Sequence, residues 1–125
     1  MKATFEIKKS TDGKFVFNLK AANDQVILTS QTYESKEGAE TGIASVRQNA
    51  PISENYEEKS STNGHPYFVL LAANKQVIGR SQMYSSREAM RKGMSSVKQN
   101  AQIAEIVDFS AHVHTAGSQG SPSAA

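Results

Sequence analysis

The sequence predicts an α+β fold, a pseudo-two-fold tandem of β3-α-β units forming one antiparallel sheet with two helices on one face. Three observations carry this. First, residues 56–105 lie on residues 5–54 without a gap, at a fixed offset of 51, and about half the positions coincide. Second, each copy contains runs that alternate apolar and polar residues. Third, each copy then changes to helical spacing of its apolar residues.

The repeat is most visible in AANDQVI (Ala21–Ile27) and AANKQVI (Ala72–Ile78). Matching pairs extend from Glu6/Glu57 and Gly13/Gly64, through Phe17/Phe68, Leu19/Leu70 and Tyr33/Tyr84, to Asn49/Asn100 and Ile52/Ile103.

Each copy reads alike. Thr4–Lys9 alternates Phe5 and Ile7 with Glu6 and Lys8, a strand of period two. Ser10-Thr11-Asp12-Gly13 is a turn, with Gly13 free to take positive φ. Phe15 to Ala21 alternates again, with Phe15, Phe17, Leu19 and Ala21 on one face. Asn23-Asp24 and Asn74-Lys75 suit tight hairpins, with Asn supplying the turn chemistry before the β-rich runs Gln25–Thr29 and its counterpart.

A helix follows in each copy. Ser85 and Glu88 have the spacing of a capping box. Met90, Gly93, Met94 and Val97 fall at i, i+3, i+4 and i+7, and Ala39, Gly42, Ile43 and Val46 match them. A glycine costs a helix interior about 0.5–1 kcal/mol relative to Ala, so its recurrence on the apolar face predicts close approach of helix and sheet. Asn49 and Asn100, after Arg47 and Lys98, are placed as left-handed C-terminal caps.

A β3-α unit of about 50 residues buries little by itself, and two copies sharing a sheet solve that problem. Asn55–Ser61 ends one repeat and begins the next, and Ala104–Ser110 is its strand-like counterpart. The expected organisation is a single domain over residues 1–110, with repeat one at about 3–54 and repeat two at about 55–110. Residues 111–125, rich in Gly, Ser, Ala and Pro, read as a flexible tail.

The F-x-L-x-A strand, A-N-x-Q-V-I, S-Q-x-Y and a helix ending S-V-[RK]-Q-N-A together resemble the YegP-like family, small bacterial proteins of unknown function. The resemblance spans about residues 3–110 and both copies. It implies exchange of the C-terminal strands between repeats, assigning Asn55–Ser61 and Ala104–Ser110 to that role. It brings no established activity, so no functional residues carry over.

Composition is that of an ordinary soluble domain: 125 residues, 38% hydrophobic, 21% charged, formal net charge +2. That charge does not by itself imply nucleic acid. With no cysteine, disulfides, thiolate catalysis and Cys-ligated zinc are excluded. MKATFEIKKS has no signal-peptide core, and no apolar run reaches the ~20 residues of a membrane span, so a cytoplasmic location is the default expectation.

Catalytic chemistry is sparse. Glu6/Glu57 and Glu37/Glu88 fit strand exteriors and helix starts. Ser35 and Ser86 have no recurring His beside them and fit helix caps better than nucleophiles. His112 and His114 would share a side of an extended segment, but two imidazoles make an incomplete metal site, and His65 does not recur. No enzyme, cofactor or metal is expected.

The copies differ more informatively than they agree. Lys75 to Lys98 carries six cations against Glu88, 6 − 1 = +5, whereas Asp24 to Arg47 carries two against four acids, 2 − 4 = −2. Arg87, Arg91 and Lys98 form a stripe beside the apolar helix face, with Lys92 adjacent, able to meet nucleic acid, another anionic ligand or an acidic protein. On the other sheet face, Tyr67, Val69 and Leu71 replace Val16, Asn18 and Lys20 and form an apolar strip, either open to a partner, a second copy or the tail, or partly shielded by long neighbouring side chains. The first expectation is a non-catalytic interaction module meeting a protein partner through this strip or a sheet edge. An anion binder through the basic helix flank is the second, and a monomer with an internal pseudo-dimer is the expected state.

Overall fold

The computed structural model describes residues 2–110. The tail from Ala111, with His112 and His114, lies outside the described residues. The chain forms β1 (Thr4–Lys9), β2 (Phe15–Lys20), β3 (Val26–Thr29), α1 (Lys36–Asn49), a 3₁₀ turn (Ser53–Asn55), β4 (Tyr56–Ser60), β5 (Pro66–Leu71), β6 (Val77–Arg80), α2 (Arg87–Ile103) and β7 (Glu105–Asp108).

The strands form one seven-stranded sheet in the order β4-β5-β6-β3-β2-β1-β7. The halves meet at the pairing of Thr29 with Arg80, positions equivalent in the repeat. Equivalent pairings flank this centre: Phe5 lies opposite Leu19 and Ile7 opposite Phe17, as Tyr56 lies opposite Leu70 and Glu58 opposite Phe68. A bulge recurs too. It makes Ile27 and Ile78 extra residues between paired neighbours.

Strand exchange is present: β4 follows α1 but pairs with β5, and β7 follows α2 but pairs with β1. The expected all-antiparallel sheet is corrected, because β1 and β7 run parallel. Pseudo-symmetry explains the difference. The strand leaving α1 becomes β4, whose counterpart position beside β2 is already held by β1. The strand leaving α2 keeps the direction β4 has after α1, and takes the next position out, beside and parallel to β1.

One buried cluster joins both repeats. Phe5, Ile7, Phe17, Leu19 and Leu28 meet Phe68 and Leu70 across the sheet, under Ile43 and Val46 of α1 and Met90 and Val97 of α2. Burying each such side chain contributes about 1.5–3 kcal/mol, so the shared layer supplies what one repeat lacks.

The glycine expectation changes its object. A Cβ on Gly42 would collide with the Tyr33 hydroxyl, and one on Gly93 with the Tyr84 hydroxyl. The close approach is thus made by a tyrosine ring. Tyr33 stacks on Phe17 (centroids 6.1 Å apart) and Tyr84 on Phe68 (6.4 Å). The S-Q-x-Y segment holds these rings in place. Ser30 Oγ accepts from the Phe17 N–H and Ser81 Oγ from the Phe68 N–H, each at 2.9 Å.

The Ser35 and Ser86 caps are borne out, whereas the Ser85–Glu88 box and the asparagine caps are not. Ser86, rather than Ser85, caps α2 by accepting from the Ala89 N–H at 3.1 Å, and Ser35 does the same for α1 with the Gly38 N–H at 3.0 Å. Asn49 and Asn100 are not left-handed caps. Each donates its side-chain amide to a carbonyl four residues back, Ser45 and Ser96, at 2.8 Å. Pro51 ends α1, whereas its counterpart Gln102 lets α2 run on to Ile103. In the hairpins, positive φ belongs to Asp24 and Lys75 (72° each), not to the asparagines. Asn23 and Asn74 instead accept from the Gln25 and Gln76 N–H groups at 3.1 Å.

Candidate functional site

The helix-free face of the sheet divides into two halves. In repeat one, Lys20 Nζ lies 3.3 Å from Glu6 and 3.6 Å from Asp24, and Asn18 donates to Thr29 Oγ1 at 2.9 Å. In repeat two, the strip is largely covered by its neighbours: Val69 is 2% exposed and Leu71 5%. Val69 sits between Glu57 and Arg80 and Leu71 beside Val77, while the Arg80 guanidinium lies over the Tyr67 ring, 5.8 Å from its centroid. Long side chains on adjacent strands thus shield this strip, and Tyr67 is its most accessible member.

The helix face shows a stronger asymmetry, at the two ends of the sheet. At the β1 end, β7 lies along the outer edge of β1. Lys36, the first residue of α1, sets its ammonium 2.6 Å from Asp108 Oδ2. Asp108 also accepts from the Ser110 N–H (2.8 Å) and hydroxyl (2.5 Å). Burial pushes the Asp108 carboxyl up, but Lys36 and Ser110 outweigh it and hold the group below its usual value; the hydrogen bond to Asp108 raises Lys36. Near the other end of β7, Arg47 donates to the Ala101 carbonyl (3.3 Å) and the Ala104 carbonyl (2.5 Å) and lies over the Phe5 ring.

At the β4 end the same supports stand without a strand on them. Among the described residues, β4 has no neighbour on its outer edge. A groove of about 450 Å³ lies there, lined by Ser53, Tyr56, Glu58, Arg91, Met94, Ser95 and Lys98. A second hollow of about 260 Å³ adjoins it, with Arg87, Ser85 and Ser86 on its wall. Glu58 Oε1 lies 3.4 Å from Arg87 and Oε2 3.2 Å from Arg91. Lys98 reaches Ser53 Oγ at 2.7 Å and stands over the Tyr56 ring at 5.5 Å, as Arg47 stands over Phe5. The Tyr56 hydroxyl donates to the Ala50 carbonyl at 2.7 Å at the end of α1, and burial raises its pKa strongly. This bond fixes the inner wall.

The structure therefore brings Arg91 and Lys98 together along one groove, with Arg87 on the adjoining hollow that shares Glu58. Lys92 is exposed one residue on from Arg91, about 100° round the helix. Tyr67, Val69 and Leu71 belong to the opposite face. Tyr56, Glu58, Ser53 and Met94 were missed as site residues. The available signal was Glu58 itself, an acid in the place of Ile7 on a strand whose other core-facing residue, Tyr56, keeps its aromatic character.

Comparison with known proteins agrees with the duplication. A model described as "Domain of unknown function (DUF1508)" matches twice, over residues 10–57 and 61–108. The chain belongs to the DUF1508 family. Among its DUF1508 relatives, UPF0339 protein YegP of Escherichia coli is 50% identical over 108 residues, 86% of this chain and 98% of that one. UPF0339 protein MS1092 of Mannheimia succiniciproducens is 51% identical over 105 residues, 84% and 93% of the two chains. The solution structure of UPF0339 protein SO3888 from Shewanella oneidensis superimposes with a TM-score of 0.84 at 44% identity, covering 94% of this chain and all of that one. That of E. coli YegP gives 0.83 at 49% identity, covering 88% and 95%. These DUF1508 relatives are uncharacterised proteins, and none of their names states a catalytic activity or nucleic-acid binding. Among the described residues, no helix is long and apolar enough to cross a membrane, and no three His, Cys, Asp or Glu side chains gather as metal ligands would.

Proposed function

We propose that this protein is a non-catalytic interaction module that receives an extended segment of a partner protein along the outer edge of β4. One observation carries the reading: β1 has a strand on its outer edge and its repeat counterpart β4, with equivalent pairing inward, has none among the described residues. Strand addition of this kind draws affinity from main-chain hydrogen bonds and selectivity from pockets for alternate side chains. The groove beside Tyr56 and Met94 is such a pocket. The repeated residues are accounted for by turns, caps and core, which leaves no recurring constellation for catalysis.

The reading is tested by selecting binders from a random peptide library displayed on phage, and mapping each by backbone amide shifts on the labelled full chain. Selected peptides are expected to shift Tyr56–Ser60, and Glu58→Pro is expected to abolish binding while the fold persists, because proline is tolerated on an edge strand. Binders that shift only Tyr67, Val69 and Leu71, or survive Glu58→Pro, overturn it. An oligonucleotide that shifts Arg87, Arg91, Lys92 and Lys98 with a steep salt dependence would move the function to phosphate recognition.

A further inference from the structure

Resting on that reading, we infer that the segment received at β4 is acidic, runs parallel to β4, and places a carboxylate on Arg87. The molecule contains its own example of the complex. Position 36 at the start of α1 grips Asp108 of β7, and position 87 is its equivalent at the start of α2. In β7, Ile106 lies opposite Phe5 and Asp108 opposite Ile7, so both sit on the helix side of the sheet. The equivalent strand would set an apolar residue opposite Tyr56, beside Met94, and an acid opposite Glu58, beside Arg87.

The backbone is ready for this register. The Ile7 carbonyl accepts from the Phe109 N–H at 2.8 Å, and the Ala3 carbonyl from the Glu105 N–H at 3.2 Å. Ile7 therefore turns its peptide groups away from β2. Glu58 occupies the same register against β5 and turns its peptide groups to the open edge.

Charge selects the ligand. On the helix side of the groove, Arg87, Arg91 and Lys98 face the single carboxylate of Glu58. That leaves 3 − 1 = +2 to be matched, and Arg87 holds Glu58 only at 3.4 Å with its side chain 71% exposed. At the β1 end the corresponding cation, Lys36, is answered by Asp108 of the docked strand at 2.6 Å. An acidic strand would answer Arg87 in the same way. The chain's own residues 111–125 contain neither Asp nor Glu and do not fit this requirement.

The probe is the blocked synthetic peptide of residues 103–110, IAEIVDFS, titrated into the labelled full chain. It is expected to shift Tyr56–Ser60 and the Arg87 amide. Replacing Asp108→Asn in the peptide is expected to weaken binding about three- to fivefold, the range of an exposed ion pair. On the Arg87→Gln protein the two peptides are expected to bind alike. A nitroxide on the peptide N-terminus is expected to broaden Tyr56 more than Ser60, and one on the C-terminus the reverse. Equal affinity of both peptides for the unaltered protein, or the opposite broadening, overturns this inference while leaving the edge reading in place. No shift at Tyr56–Ser60 at millimolar peptide also overturns it, and the phage selection then decides whether the edge reading falls too. The protein alone is expected to sediment as a monomer; a dimer that dissociates on Arg87→Gln would mean that a second copy is the occupant and overturn the inference.

Discussion

Leu28 fills the space that a side chain at position 79 would need. A Cβ built on Gly79 would lie 2.7 Å from both Cγ and one Cδ of Leu28. The two positions are equivalent in the repeat and face each other near the pseudo-two-fold axis, where β3 meets β6. Two large side chains cannot share that space, so the symmetry breaks there, with Leu28 fully buried on one side and glycine on the other.

This gives a coupled pair. Gly79→Ala is expected to cost about 1–3 kcal/mol by overpacking. Leu28→Ala is expected to cost about 2–5 kcal/mol through its cavity. The double variant should be less destabilised than the sum, because each change relieves the other. Denaturant midpoints with unchanged slopes measure the cycle, and strict additivity would show that the two sites do not share space.

A second pair tests the tyrosine wedge. In a free helix, Gly93→Ala would stabilise by about 1 kcal/mol. Here the methyl meets the Tyr84 hydroxyl, so the expected sign is reversed, a net loss of about 1–2 kcal/mol. In a Tyr84→Leu background the same substitution should become neutral or stabilising. Thermal melts of the four proteins decide it: a Gly93→Ala that stabilises the unaltered chain removes the wedge.

How far the fold was legible depended on the range of the interactions involved. Alternation in Phe5–Lys9 and the helical spacing of Met90, Gly93 and Val97 are local, and they read correctly. The partner of Gly93 did not, because Tyr84 reaches it by folding back from the preceding loop. The direction of β7 could not be read from its own residues. It follows from β1 already occupying the place beside β2, a fact about the whole chain. The basic stripe was visible at Arg87, Arg91 and Lys98, but its opposing wall, Tyr56 and Glu58, is brought there only by strand exchange. Of the two readings of the apolar strip, the shielded one holds: cross-strand neighbours such as Arg80 cover Val69, and register says which neighbours do so.

Backbone strain at Lys75 supplies a third prediction. Its φ of 72° lies in the left-handed region, which costs an ordinary L-residue roughly 1–2 kcal/mol. Lys75→Gly is therefore expected to raise stability, by about 0.5–1 kcal/mol once glycine's greater unfolded-state freedom is subtracted. Asp24→Gly should gain less, because Asp tolerates this region better and Asp24 also meets Lys20 at 3.6 Å. Paired thermal melts suffice. A loss of stability in Lys75→Gly would mean that the Lys75 side chain makes a contact outweighing its strain.

The Lys36–Asp108 contact makes the docking of β7 depend on pH at both extremes. Asp108 has a folded pKa below its unfolded value, so its contribution is complete above about pH 4 and is lost as pH falls through the lower folded value. Lys36 has a folded pKa above its unfolded value, so its contribution is complete below about pH 10.4 and is lost as pH rises through the higher folded value. Between these limits the pair is fully ionised and β7 should be held firmly. The Phe109 amide, bonded to the Ile7 carbonyl, reports this directly. Its chemical shift is expected to move toward that of an unpaired strand end as pH drops below about 4, while amides in β5 stay fixed. Asp108→Asn should remove that acid transition and weaken β7 docking by about 1 kcal/mol at neutral pH, where the lost carboxylate no longer meets Lys36 and Ser110. If the Asn variant keeps the same acid transition at Phe109, the transition belongs to another group and Asp108 is not what fastens β7.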